Sequence, residues 1–75
     1  MNIELVGHSD ASGPEQLNLE LSLQRAQAVA DYLVERGMVS ERLVLSAAGS
    51  SEPVADNETR LGRERNRRVE FRLSR

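Results

Sequence analysis

Asn2-Ile3-Glu4-Leu5-Val6, running directly into Gly7-His8-Ser9-Asp10-Ala11-Ser12-Gly13-Pro14, is a strand signal followed by a turn signal. Ile3 and Leu5 alternate with Glu4 and Val6, which suits an extended segment with two different faces. The turn holds two glycines, a proline and several short side chains that hydrogen-bond locally. Ser12 with Glu15 three residues later fits a capping box, and Pro14 sits near the first helical position, where its missing N–H does no harm. A helix is therefore expected to begin close to Pro14. Leu19, Leu23, Ala26, Ala30 and Leu33 recur at helical spacing as its apolar stripe, and Gly37 behind Arg36 marks its end.

Further along, Leu43-Val44-Leu45-Ser46-Ala47 is a β-prone run and the expected second strand. Strand, helix and strand in that order give a right-handed βαβ unit with parallel strands. The polar stretch from Gly49 to Glu58, with Pro53 inside it, reads as a long loop. Thr59 can cap a short helix through Asn66. Val69, Phe71 and Leu73 then alternate with Arg68, Glu70 and Arg72 as a last strand. There is no internal repeat and no linker. The expectation is an α/β chain (an α+β sandwich) forming one domain over residues 1–75.

Composition narrows the function. A chain of 75 residues buries only about 60% of its unfolded surface. With 39% apolar residues and only Tyr32 and Phe71 as aromatics, the expected core is small and marginal. No cysteine is present, which excludes disulfides and thiolate metal sites. No apolar run approaches the roughly 20 residues of a membrane span, and no export signal precedes Asn2. All ten basic residues are arginine. Residues 1–59 carry three of them against ten acidic groups, and residues 60–75 carry seven against two. Base composition of the genome would be the simplest account of arginine without lysine. An arginine-rich end also suits an anion site or a nucleic-acid footprint, although the net charge of −2 weighs against nucleic acid.

Few residues offer chemistry. His8 and Asp10 could share a metal, but one histidine and scattered carboxylates do not complete a site, so no metal is expected. Gly7-His8-Ser9-Asp10 lacks a nucleophile elbow, and no catalytic residue or cofactor is implied. Asp10 and Arg25 make a more informative pair. Asp10 follows the first strand, where α/β sheets gather ligand-binding loops, and Arg25 flanks the apolar stripe of the next helix. A carboxylate facing a guanidinium can neutralise it in a partly exposed salt bridge, the reading that spacing alone favours. Held apart, the two would clamp a zwitterion, Asp10 taking the ammonium and Arg25 the carboxylate. Arg67 shares parity with Val69 and Phe71, so a charge ends an apolar strand face, either snorkelling to the rim or reaching a ligand.

These same residues carry a family resemblance. Ile3-Glu4-Leu5-Val6-Gly7-His8-Ser9-Asp10 resembles the "GHTD" strand and turn of OmpA-like peptidoglycan-binding domains. The run Asn18-Leu19-Glu20-Leu21-Ser22-Leu23-Gln24-Arg25-Ala26 is similar to that family's "NxxLSxxRA" helix. Pro53-Val54-Ala55-Asp56-Asn57, Gly62-Arg63 and Asn66-Arg67-Arg68-Val69-Glu70 resemble its closing "GRxxNRRVE" segment. The match spans nearly the whole chain in order.

The resemblance implies non-catalytic binding of the peptidoglycan stem peptide, chiefly its meso-diaminopimelate, by a domain of the periplasm that ties the outer membrane or an envelope complex to the cell wall. It implies ligand contacts at Asp10 and Arg25, and at Ser9, Asn18 and Arg67 behind them, and so favours the clamp over the salt bridge. Ser9 stands where the family usually has threonine. Ala47-Ala48-Gly49 stands where it often has Gly-aromatic-Gly. The chain also begins at what resembles the family's second strand. Its first strand and first helix, an export signal and any membrane anchor are then expected from a longer parent protein. One sheet position and one helix-packing face should lie uncovered, which makes a self-associating, edge-paired or exchanged homo-oligomer the alternative reading.

Overall fold

The computed structural model describes residues 2–74. Strand β1 covers Asn2–His8 and helix α1 covers Glu15–Glu35. A single 3-10 turn, Ser40–Arg42, leads into β2, Leu43–Gly49. Helix α2, Arg60–Asn66, precedes β3, Val69–Ser74. The sheet order is β2-β1-β3, with β1 parallel to β2 and antiparallel to β3. The expected βαβ unit is present, and both parallel strands run two residues longer than the alternation suggested.

Alternation assigns the faces. Ile3, Leu5 and Gly7 of β1 point toward α1, while Glu4, Val6 and His8 point away. Leu5 pairs with Leu45 on one side and Phe71 on the other. It is fully buried, with Ala26 and Ala30 of α1 against it, and Ile3, Val29, Leu33, Leu43, Leu45 and Val69 pack around this centre. Full burial of a leucine contributes roughly 1.5–3 kcal/mol. On the far face, Arg68 meets Glu70 at 2.8 Å, Arg72 meets Glu52 at 3.1 Å, and the Ser46 hydroxyl donates to Glu4 at 2.9 Å.

The buried line of α1 differs from the expected stripe. It runs Asn18, Ser22, Ala26, Ala30, all small and four residues apart, whereas Leu19 and Leu23 are exposed on its flank. Gly7 is the reason. A Cβ there would lie 1.7 Å from the backbone oxygen of Ser22, so helix and strand touch almost backbone to backbone and leave no room for leucine.

The helix ends also have physical causes. Ser12 does not cap α1, because Pro14 occupies that position and the Ser12 amide donates to Asp10 Oδ1 instead. Glu15, the other half of the expected box, accepts hydrogen bonds from Ser50. At the far end the Gly37 amide donates to Val34 and the Met38 amide to Leu33, a Schellman stop with Gly37 at φ 103°. Thr59 caps α2 as expected, its hydroxyl accepting the Gly62 amide at 2.9 Å.

Helix α1 lies over β1 and β2 and barely reaches β3. Val69 is therefore packed, but Phe71 and Leu73, on the same apolar strand face, are 56% and 70% exposed. Val69 and Phe71, with Ala28, Val29, Tyr32 and Leu33, border an open apolar groove of about 590 Å³ that Arg25, Arg67 and Arg68 also line. Among the described residues neither β2 nor β3 has a strand on its outer edge.

Candidate functional site

The carboxyl ends of the parallel strands β1 and β2 lie together, and antiparallel β3 starts at the same end. Segments 9–14, 50–59 and 66–68 therefore gather there, with the first turn of α1. Main-chain bonds seal the junction: the Ser9 amide donates to Gly49 at 2.9 Å and the His8 amide to Arg68 at 2.8 Å.

Asp10 stands at the centre, its side chain 11% exposed. Its Oδ1 accepts the Ser12 amide at 2.8 Å, and its Oδ2 accepts Arg67 Nη1 at 2.6 Å. The Ser12 amide and then the Arg67 guanidinium outweigh partial burial and hold this carboxyl below its ordinary pKa. Arg25 does not pair with Asp10. It reaches over the end of β1 and donates from Nη1 to the His8 carbonyl at 3.2 Å, one of a guanidinium's five donors. The Asp10–Arg25 salt bridge that spacing favoured is replaced by Asp10–Arg67, because the α2–β3 corner delivers Arg67 directly onto the β1 turn.

The secondary candidates divide. Arg67 is part of the constellation. Ser9 is buried, and its hydroxyl donates to the carbonyl of Asp10 at 2.9 Å, so it shapes the turn. Asn18 is buried in the first turns of α1 beside Glu15 and makes no hydrogen bond to Asp10.

Two residues outside the expected set tie the corner together. Asn66, fully buried, accepts the amides of Val54 and Ala55 and donates to Asn57 Oδ1 at 2.8 Å. Asn57 Oδ1 also accepts the Ala11 amide at 3.1 Å. The only hint in the sequence was the position of both within segments chosen for other reasons. Close by, His8 has no exposed surface. Its Nε2 lies 2.6 Å from Glu70 Oε1 without hydrogen-bond alignment. Burial, with the Arg68 charge, lowers the histidine pKa despite that carboxylate.

Arginines of the basic end are largely spent inside the chain. Arg63 donates to Asn57, Arg67 to Asp10, Arg68 to Glu70 and Arg72 to Glu52. Among the described residues no cluster of three metal-ligating side chains occurs, and no helix is long and apolar enough to cross a membrane. The corner thus gathers one mostly buried carboxylate paired with Arg67 and a second guanidinium, Arg25, on the neighbouring His8 carbonyl.

Comparison with known proteins identifies the family and the fold. The chain is 46% identical over 69 residues to the peptidoglycan-binding protein ArfA of Mycobacterium bovis, covering 92% of this chain and 21% of that protein. It is equally similar to outer membrane porin F of Pseudomonas fluorescens, again over 69 residues and with the same shares of each chain. Its fold superposes with a TM-score of 0.89 on the peptidoglycan-associated lipoprotein of Burkholderia pseudomallei, at 28% identity, over 93% of this chain and 59% of that one. The chain thus spans about a fifth of these curated relatives and somewhat over half of the structural neighbour. A family model described as the OmpA family matches residues 1–67. This chain belongs to the OmpA family.

Proposed function

We propose that this domain binds peptidoglycan non-covalently and without catalysis, by clamping the free ammonium–carboxylate centre of meso-diaminopimelate in the stem peptide. The observation that carries the reading is the meeting of Asp10, Arg25 and Arg67 at one corner. Asp10 accepts the ammonium, while Arg25 and Arg67 donate to the carboxylate. Ser9 holds the turn that presents Asp10, and Asn18 stands behind it. The peptidoglycan-binding name of one relative and the peptidoglycan-associated name of the structural neighbour support the class of ligand.

Each charge-assisted bond contributes roughly 1.5–3 kcal/mol, so a single site binds modestly. The wall is a polymer, and many copies carried by longer exported parent proteins would retain it by avidity. Such parents would lie in the periplasm or at the outer membrane and hold it to the wall. Calorimetric titration with a meso-diaminopimelate stem peptide tests the reading. Saturable binding that Asp10→Asn abolishes is expected, and equal affinity of the variant would refute it.

A second reading rests on the exposed groove between α1 and β3. Tyr32 and Phe71 are each more than half exposed on this apolar surface, which favours association with another copy of the chain. Sedimentation at rising concentration tests it, and a monomer throughout excludes it.

A further inference from the structure

Resting on that reading of the site, we infer that Asn57 and Asn66 are positioning residues that fix the spacing between Asp10 and Arg67. The two charged residues are 57 positions apart in sequence. Asn66 immediately precedes Arg67, and Ala11 immediately follows Asp10. Between them runs a relay: the Ala11 amide donates to Asn57 Oδ1 at 3.1 Å, and Asn66 Nδ2 donates to the same oxygen at 2.8 Å. The backbones on either side of the cleft are thereby linked through one carboxamide oxygen.

Both ends of the relay are anchored. Asn66 Oδ1 accepts Val54 and Ala55 amides at 2.8 and 3.0 Å, and its Nδ2 also donates to the Ala55 carbonyl at 3.0 Å. With the bond to Asn57, this fills the capacity of a carboxamide, two donors and two lone pairs. A buried amide so satisfied has one low-energy position, and a carboxylate there would lose both donors. Asn57 is held from its other side, where Arg63 Nη1 donates to its backbone carbonyl at 3.1 Å.

The consequence is a rigid cleft with one movable part. Because the relay holds both backbones, a zwitterion entering between Asp10 and Arg67 displaces the Arg67 side chain and leaves the Asp10 turn in place.

The test compares wild type, Asn57→Ala and Asn57→Asp by NMR, with calorimetry using a meso-diaminopimelate tripeptide. Asn57→Asp keeps the oxygen that accepts both bonds. In wild type the Ala11 amide, although on an exposed residue, should exchange slowly with solvent. Asn57→Ala should speed that exchange, raise the Asp10 titration midpoint and weaken tripeptide binding about fivefold, the worth of one hydrogen bond. Asn57→Asp should restore Ala11 protection. Fast Ala11 exchange in wild type, or an Asn57→Ala protein with unaltered Ala11 exchange and Asp10 titration, overturns the inference. If these signals move as expected but wild type does not bind the tripeptide, the relay stands and the proposed function falls.

Discussion

Arg67 Nη1 lies 2.6 Å from Asp10 Oδ2, while Arg25 turns away from that carboxylate to the His8 carbonyl. The acid of the cleft is thus neutralised by the residue that ends α2, and the arginine of α1 is not its partner. With Arg67 about a third exposed, this ion pair is worth roughly 0–1 kcal/mol. Opening it costs less than a ligand's charge-assisted bonds return, at roughly 1.5–3 kcal/mol each.

Single substitutions should separate the two arms of the clamp. Arg25→Gln removes the proposed carboxylate donor of α1, which forms no ion pair among the described residues. It should weaken stem-peptide binding by tenfold or more, about 1.4 kcal/mol, while leaving thermal stability nearly unchanged. Arg67→Gln should also raise the Asp10 pKa, measured by side-chain NMR titration, because a charge that lowers it is gone.

Gly7→Ala should be among the most damaging changes in the chain. The added methyl would meet the Ser22 carbonyl oxygen 1.7 Å away, and a backbone atom cannot rotate aside. A loss of about 3 kcal/mol or more is expected, and denaturant titration measures it.

Stability should fall as pH drops through the histidine range. Burial lowers the His8 pKa in the folded state, so the unfolded chain takes up a proton first. The stabilising contribution is complete above the unfolded value near 6.5 and is lost as pH drops from there toward the lower folded value, by at most about 1.4 kcal/mol per pH unit. Arg68 and Arg72 add to the effect, while Glu70 and Glu52 oppose it. Urea midpoints between pH 6.5 and 5 should decline in wild type and stay level in His8→Asn.

Phe71→Ser with Leu73→Ser should reduce any self-association seen by sedimentation at little cost in monomer stability. Both side chains are more than half exposed, so little burial is lost.

The order of elements was legible in the sequence because local rules decided it. Alternation at Ile3 and Leu5, glycine at position 37 and threonine at 59 all acted as their chemistry dictates. The buried face of α1 was not legible. Leucine spacing pointed to Leu19 and Leu23, but the Gly7–Ser22 contact, a tertiary fact, selected Asn18 and Ser22. In the cleft, residue types were readable and pairings were not. Asp10, Arg25 and Arg67 are all at the corner, yet which arginine meets the acid depends on how the α2–β3 corner folds back. Asn57 and Asn66 lay within the segments that carried the resemblance, but nothing marked their linking role, because an asparagine that links two loops has the same sequence signature as one in a turn.

The most direct measurement is an NMR titration of the chain with two stem peptides that differ only in the third residue, meso-diaminopimelate or lysine. The lysine peptide lacks the free carboxylate beside its side-chain ammonium. Saturable shifts at Asp10, Arg25 and Arg67 are expected with the first peptide and much weaker ones with the second. No shift at millimolar diaminopimelate peptide, or equal shifts with both, would contradict it.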